Sequence, residues 1–227
     1  MFAFAVKARM RADNPVESSD RIKVAAGEKS TGYHAWSEAE IAQYRAFHAL
    51  GTRPRLALEI LLWSGQRRGD AYLFGDQHIV DCRIELKQKK GGKQLGLLIM
   101  PQLRAAIEAM PPRLPEATAF LLTDWGRPYT SAGFGNWFRE CCDDAGLPHC
   151  TAHGLRKAIM RRAAELELGN QSLKSISGHT EDAEVALYTA SASQRRLADS
   201  ALKQISEWEV SHLSQARDTS QAQDDEI

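Results

Sequence analysis

Apolar residues recur with helical spacing over most of the chain. Ser37 and Glu40 form a capping-box pattern, which predicts a helix that ends near Gly51. Pro54 stands where a first helical turn tolerates proline, and the apolar stripe that follows it ends at Gly65. The same period predicts further helices after Pro101, after a cap at Thr130 or Ser131, and over residues 153–168, 171–177, 181–189 and 192–209.

The apolar spacing changes in one stretch near the middle of the chain. Residues 77–86 and 95–99 have the composition of strands, and the segment KQKKGGKQ joins them. Gly91 and Gly92 in that segment predict a hairpin turn. Residues 119–122 are a further candidate strand. The pattern therefore predicts a mainly α (α+β) fold with one small antiparallel sheet inserted early.

Length and composition fit one domain with short appendages. The chain has 227 residues, of which 43% are hydrophobic, and this is enough for a core. We expect residues 1–13 to hold the end of a helix, 14–36 a linker, 37–209 the domain and 210–227 a disordered tail. No apolar run approaches the ~20 residues of a membrane span, and the N-terminus lacks a signal-peptide pattern. We therefore expect a cytoplasmic protein with no membrane partner.

The chain has four cysteines, which are Cys82, Cys141, Cys142 and Cys150. Adjacent cysteines rarely bridge each other, so reduced thiols are expected, as in the cytoplasm. A zinc-binding module is an alternative for one cluster of thiols and imidazoles: Cys141, Cys142, His149, Cys150 and His153. The spacing of that cluster matches no paired C-x-x-C pattern, so we expect no metal and no cofactor.

Charge is clustered, although the formal net charge is zero. Lysines crowd the predicted hairpin, namely Lys87, Lys89, Lys90 and Lys93. A second basic cluster lies on a predicted helix, namely Arg156, Lys157, Arg161 and Arg162. Such clusters can form a nucleic-acid face without a high isoelectric point, although solvated helix faces and turns show them too.

The motif HGLR could bind a phosphate. A cap at Thr151 would place His153 in the first turn of a helix, with Arg156 on the same face. Free backbone N–H groups and positive potential at that helix end favour an anion, and a guanidinium matches two phosphate oxygens. Taken alone, the motif also fits an ordinary surface helix.

Two further motifs add groups of the same kind. In SGQRRGD, Arg67 follows the end of an apolar helix, where it can be held rigidly and braced by Asp70. In SGHTEDAEVALYTA, Gly178 and His179 are followed nine residues later by Tyr188. Either stretch alone also fits a polar helix end or a helix aromatic.

Taken in order, these pieces resemble the tyrosine recombinase (phage integrase) family over residues ~37–209. The family's first arginine is matched by Arg67, its hairpin lysine by Lys90, and its H-x-x-R box by His153 and Arg156. Its G-H pair and its nucleophilic tyrosine are matched by His179 and Tyr188. The resemblance implies a helical catalytic domain with a small three-stranded antiparallel sheet, as in DNA breaking-rejoining enzymes.

The resemblance also implies a function, which is site-specific recombination of double-stranded DNA through a 3′-phosphotyrosine. Tyr188 would attack the phosphorus, His153 would exchange the proton of the phenol, and Lys90 would protonate the leaving 5′-oxygen. Arg67, Arg156 and His179 would bind the phosphate, without a metal. DNA would be held by Lys87, Lys89, Lys93, Lys157 and Arg161. The C-terminal helix would dock on a neighbouring subunit or pack on its own domain.

The sequence departs from the family pattern in places. Gly91 stands where the family has a threonine, so Lys89 is a rival for Lys90, and Arg68 is a rival for Arg67. Residues 1–13 would be the remnant of the last helix of a core-binding domain. Two alternatives for function stay open, a type IB topoisomerase-like strand relaxation and a non-catalytic DNA-binding or assembly fragment.

Overall fold

The computed structural model describes residues 2–17, 32–113, 116–179, 181 and 198–210. The chain divides into two compact units, Met1–Gly32 and Tyr33–Ile227. The first unit holds helix α1 (Phe2–Lys7), which has no buried residue. This helix lies in the predicted segment but ends several residues before Asn14. Its assignment as the remnant of another domain stays a prediction.

Helices α2 (Glu38–Phe47) and α3 (Arg53–Ser64) open the second unit as the caps predict. The Ser37 hydroxyl accepts a hydrogen bond from the backbone N–H of Glu40, and the Glu40 carboxylate accepts one from the backbone N–H of Ser37. Helix α3 ends at Gly65, whose φ of 60° is left-handed. Seven consecutive residues of α3, Leu56–Leu62, are at most 1% exposed, because this helix runs through the middle of the core.

Glu59 is a buried carboxylate that joins α2 to α3. Its oxygens accept hydrogen bonds from Arg45 Nε and Nη2, at 2.9 and 2.7 Å, and from Arg55 Nε at 2.7 Å. Trp63 Nε1 donates a fourth, at 2.9 Å. A carboxylate that is 1% exposed is tolerated because these donors replace its water shell.

The small sheet has three antiparallel strands in the order β1 (Ile79–Val80), β2 (Arg83–Lys87) and β3 (Gln94–Leu98). The single strand predicted over residues 77–86 is wrong. A 3-10 turn comes first, and the chain then reverses at Asp81 and Cys82, which have φ of 47° and 61°. Two consecutive left-handed residues are typical of a tight hairpin turn, but the pair Asp-Cys is an unusual sequence for one.

Six more helices complete the described chain: α4 (Arg68–Ala71), α5 (Pro101–Glu108), α6 (Ser131–Asp144), α7 (Ala152–Glu165), α8 (Asn170–Ser177) and α9 over 198–210. The candidate strand at 119–122 reduces to a single bridge between Leu122 and Pro128. Most of the helix predicted at 181–189 lies outside the described residues. The prediction of a mainly helical fold with a small three-stranded antiparallel sheet is confirmed. No described helix has the length and apolar character that a bilayer crossing requires.

Candidate active site

A cleft of about 550 Å³ lies where α4, the β2–β3 turn and the start of α7 meet. Four of the predicted catalytic or DNA-binding residues line it: Arg67, Lys89, Lys90 and His153. Arg68 and Arg139 add two more guanidinium groups, whereas Asp70 is the one carboxylate among its lining residues. The excess of positive charge makes the cleft suited to an anion.

Arg67 and Arg68 occupy different parts of the cleft. Arg67 is half-buried at the N-cap of α4, and its Nη1 is buried without a hydrogen-bond partner among the described residues. The exposed side chain of Arg68 packs against α6 instead. A Cβ added at Gly135 of α6 would be 2.8 Å from the Cζ of Arg68. A buried N–H with no partner calls for an acceptor, so Arg67 is the better placed of the two to bind a phosphate oxygen.

The β2–β3 turn carries the rival lysines Lys89 and Lys90. The backbone N–H of Lys89 donates to Asp70 Oδ1 at 3.0 Å, and its ammonium lies 5.4 Å from the centre of the Tyr72 ring. Asp70 therefore holds the lysine turn in place rather than bracing Arg67 as the sequence suggested. Lys90 is exposed at the cleft and is the freer of the two to reach a bound group.

His153 lies in the first turn of α7, which Thr151 caps by accepting from the N–H of Gly154. The imidazole is half-buried, and its ring centre is 4.8 Å from that of Tyr33. Burial lowers the pKa of His153 from its usual 6.5, and the nearby charges of Arg156, Lys157 and Arg67 lower it further. The imidazole is therefore neutral at physiological pH and can accept a proton.

Arg156 lies three residues after His153 on α7 and connects two other segments of the site. It is 1% exposed, and its Nη1 donates to the carbonyl of Gly65 at 2.8 Å. Its Nη2 is 2.7 Å from His179 Nε2 and must be the donor, so the His179 ring carries its proton on Nδ1. The charges of Arg156 and Arg67 both lower the pKa of His153, so both guanidinium groups lie near this imidazole.

Two buried glutamines fasten these segments to one another. Gln88 Nε2 donates to Gln66 Oε1 at 2.6 Å and to the carbonyl of Ser177 at 2.9 Å. Gln66 Nε2 donates to the carbonyl of Ile176 at 2.8 Å. Gln66 precedes Arg67, Gln88 lies at the base of the lysine turn, and Ser177 is two residues before His179. The amides therefore fix the spacing of three parts of the site.

His179 reaches Arg156 because α8 ends abruptly. Gly178 caps α8 with a left-handed φ of 73°, which turns the chain into the interior. A side chain at Gly178 would be strained by this φ and would also collide with the Gln88 amide. The Gly-His pair of the sequence motif thus has a steric reason.

The sequence pattern of the phage integrase family matches residues 38–195 of the chain. The chain belongs to the phage integrase family. The resemblance found from the motifs is confirmed by this match. No curated protein sequence matches the chain.

Solved structures of other integrases and recombinases share the fold. A lambda integrase dimer bound to a COC′ core site is 20% identical, with a TM-score of 0.62 over 83% of this chain and 55% of that one. The Tn1549 transposon integrase in complex with circular intermediate DNA is 16% identical, with a TM-score of 0.65 over 88% and 74%. XerA recombinase is 14% identical, with a TM-score of 0.63 over 80% and 66%. The chain thus spans about half the length of the lambda integrase chain.

The described structure holds five of the six predicted catalytic residues, in two groups. Arg67, Lys90 and His153 line the cleft, and Arg156 and His179 are bonded to each other. The predicted nucleophile, Tyr188, lies outside the described residues. The roles of all six residues stay predictions.

The lysines and arginine predicted to hold DNA are more scattered. Lys89 lines the cleft, Lys87 is exposed on β2, and Lys93 Nζ is 3.5 Å from the carbonyl of His179. Lys157 Nζ donates to the carbonyl of Tyr33 at 2.7 Å, and Arg161 pairs with Glu38 at 3.0 Å. Neither of the last two is among the residues that line the cleft, and both already have partners.

The sequence motifs missed the residues that hold the site together. Gln66 and Gln88 are 0% and 2% exposed, which is unusual for glutamine. Gln66 stands inside the quoted SGQRRGD motif and Gln88 inside KQKKGGKQ, yet nothing in either stretch shows that the two side chains meet. Tyr33, which packs on His153, lies in the segment read as a linker.

Proposed function

We propose that this chain carries the catalytic domain of a site-specific DNA recombinase, which cuts and rejoins strands through a 3′-phosphotyrosine. The observation that carries the proposal is the cationic cleft lined by Arg67, Lys90 and His153, with Arg156, which is bonded to His179, near His153. Family membership supports the same function, as do structural relatives whose names include integrases bound to DNA.

In the proposed reaction, the phenol oxygen of Tyr188 forms a bond to a DNA phosphorus, and the bond from that phosphorus to the 5′-oxygen breaks. The neutral imidazole of His153 takes the phenol proton, and the Lys90 ammonium gives a proton to the leaving oxygen. Arg67 and Arg156 stabilise the charge on the non-bridging oxygens, and His179 positions that phosphate. The reverse attack by a 5′-hydroxyl of another strand rejoins the DNA, so no external energy source is needed.

A suicide substrate tests the proposal directly. This is a duplex with a nick next to the cleavage position, from which the freed 5′-end diffuses away and leaves the protein attached to the 3′-end. We expect a protease-sensitive covalent product. If no covalent product forms with any substrate sequence that is tested, the non-catalytic fragment is supported. If the protein relaxes supercoiled DNA without exchanging strands, the topoisomerase-like alternative is supported.

Lys90 is expected to be the general acid rather than Lys89. Lys90→Ala should slow cleavage by on the order of 10²-fold, because the 5′-alkoxide then leaves without a proton. Lys89→Ala should slow it less, because the Lys89 ammonium lies over Tyr72. The measurement is single-turnover cleavage of two substrates, one normal and one with sulfur at the bridging 5′-position.

A sulfur leaving group needs no proton, so it should restore cleavage by Lys90→Ala to near the wild-type rate. If sulfur rescues Lys89→Ala instead, the two assignments are exchanged. If it rescues neither variant, neither Lys89 nor Lys90 is the acid.

The cleavage rate should depend on pH through His153. Its pKa lies below 6.5 in the free protein, since burial and the neighbouring cations disfavour the imidazolium. A base works in its deprotonated form, so cleavage should be constant near neutral pH and should fall as the pH drops below 6.5. The measurement is the second-order rate constant of single-turnover cleavage of the suicide substrate, taken below saturation so that it reports the free enzyme.

The control for this profile is His153→Gln. This variant should cleave slowly, and its cleavage rate should no longer fall at acid pH. An acid limb centred above pH 6.5 in wild type would contradict the assignment. An unchanged limb in the variant would assign it to another group.

We also propose that the protein binds double-stranded DNA and self-associates on it through α9. Leu202, Ile205 and Trp208 of this helix are 65, 60 and 61% exposed, and they share one face by their spacing. Structural relatives named as a dimer and a tetramer on DNA support such an assembly. A cytoplasmic location is part of the proposal, supported by four cysteines that are all free thiols.

A further inference from the structure

A second group of chemically active side chains lies beside the cleft. His34 precedes α2, Glu40 is in its first turn, and His149 and Cys150 precede the cap of α7. Their potential ligand atoms all lie within 4.8 Å of one another. His34 Nε2 is 2.8 Å from Glu40 Oε2, and His149 Nε2 is 2.6 Å from Glu40 Oε1. The proposed DNA chemistry uses none of these four side chains.

We propose that His34, Glu40, His149 and Cys150 bind one zinc ion. Two imidazole nitrogens, a carboxylate oxygen and a thiolate sulfur make a four-ligand set of the kinds that zinc prefers. Ligands in a tetrahedron around zinc lie about 3.3–3.7 Å apart, given the usual zinc–ligand distances. Shifts of about an ångström therefore bring the present cluster to that geometry. The thiolate and imidazoles select zinc over magnesium or calcium.

The surroundings of the cluster suit a metal site. The Glu40 carboxylate can give zinc one oxygen, and its other oxygen, Oε2, keeps the hydrogen bond from the backbone N–H of Ser37 at 2.6 Å. The capping box thus orients the ligand, as outer groups do in zinc sites. Cys150 is 0% exposed, and burial raises the pKa of its thiol to about 12. A bound cation reverses that shift by binding the thiolate.

The ion would have a structural role. It would tie the segment before α2 to the segment before α7, beside the hydrogen bond that Trp36 Nε1 donates to the carbonyl of Thr151 at 2.9 Å. Cys150 and Thr151 line the cleft, and His153 follows Thr151 by two residues. Zinc would therefore fix the start of the helix that carries His153 and Arg156.

The sequence did not predict this set. It grouped His149 and Cys150 with Cys141, Cys142 and His153, none of which belongs to the present cluster. His34 and Glu40 are more than a hundred residues away in the chain from their partners. Only the packing of α2 beside the start of α7 brings the four together.

Metal content and thermal unfolding test the proposal, with the full chain expressed without a histidine tag. We expect one zinc per chain by elemental analysis after dialysis. Removal with a chelator should lower Tm, and added zinc at a hundredfold excess over Kd should restore about 5–10 °C. Cobalt in place of zinc should give the charge-transfer band of a thiolate ligand.

Two variants locate the ion. His149→Ala should fold, because this side chain is exposed, but it should lose the zinc and the Tm response. Cys150→Ser should lose the cobalt band, whereas Cys82→Ser, at an exposed cysteine in the turn between β1 and β2, should keep it. The proposal is overturned if wild type retains no metal and zinc does not change Tm, or if His149→Ala binds zinc like wild type. None of these readouts depends on recombination.

Discussion

Arg156→Lys is expected to reduce DNA cleavage by about 10⁴-fold. Loss of one preorganised donor to the phosphate costs about 10²–10³-fold. A further loss of about 10²-fold is expected because His179 is held by Arg156 and would shift. A lysine keeps the charge but has no planar fork with which to reach Gly65 and His179 together.

The same change should lower stability. Arg156 is 1% exposed, so the acceptor that lysine abandons stays buried, at a cost of about 1–3 kcal/mol in the free energy of unfolding. Urea unfolding and single-turnover cleavage are measured together, so that cleavage is compared only on folded protein. Arg104→Lys, at an exposed position on α5, is the matched control and should change neither quantity. Full cleavage activity in folded Arg156→Lys would exclude the bidentate role.

The sequence specified the helices well because their ends depend on local chemistry. Ser37, Thr130 and Thr151 each cap a helix by bonding to a backbone N–H three residues on, and such caps are visible in the sequence. The turn at Asp81 and Cys82 was missed for the opposite reason. Its left-handed pair is imposed by the pairing of β1 with β2 and not by residues that prefer that conformation.

In the candidate site too, some residues could be predicted from the sequence and others could not. Arg67, Lys90 and His153 could be predicted because they match the motifs of the phage integrase family, and the structure places all three at one cleft. The partner of Asp70 could not be predicted in this way, because the backbone of Lys89 approaches Asp70 only after the hairpin folds against α4. The amide pair of Gln66 and Gln88 likewise depends on tertiary packing, and no local pattern in a single sequence indicates it.

Packing also explains why the predicted DNA-binding arginine has another partner. Arg161 is only five residues beyond the HGLR motif, so sequence spacing places it on the same helix as Arg156. In the structure it faces α2, where Glu38 at the start of that helix accepts its hydrogen bond. Helical spacing shows which residues share a face of α7. Whether that face is exposed to DNA depends on the helix that packs against it.

Tyr188→Phe is expected to abolish the covalent DNA adduct, a loss on the order of 10⁴-fold or more, because the phenyl ring has no nucleophile. DNA binding should be unchanged, since it depends on lysine and arginine contacts with phosphates and not on the phenol. The measurements are adduct formation on the suicide substrate and a mobility-shift assay at fixed salt. Tyr129→Phe, whose hydroxyl contacts Arg53 away from the cleft, is the matched control and should form the adduct.

The structure supplies one rival for this nucleophile. Tyr33 lines the cleft, and its ring is 4.8 Å from that of His153, the proposed proton acceptor. Tyr33→Phe keeps the ring packing and removes only the hydroxyl. We expect this variant to form the adduct, since Tyr188 and not Tyr33 follows the Gly-His pair at the spacing of the phage integrase family. An adduct that survives in Tyr188→Phe and disappears in Tyr33→Phe would transfer the nucleophilic role to Tyr33, and peptide mapping of the DNA-linked residue would verify it.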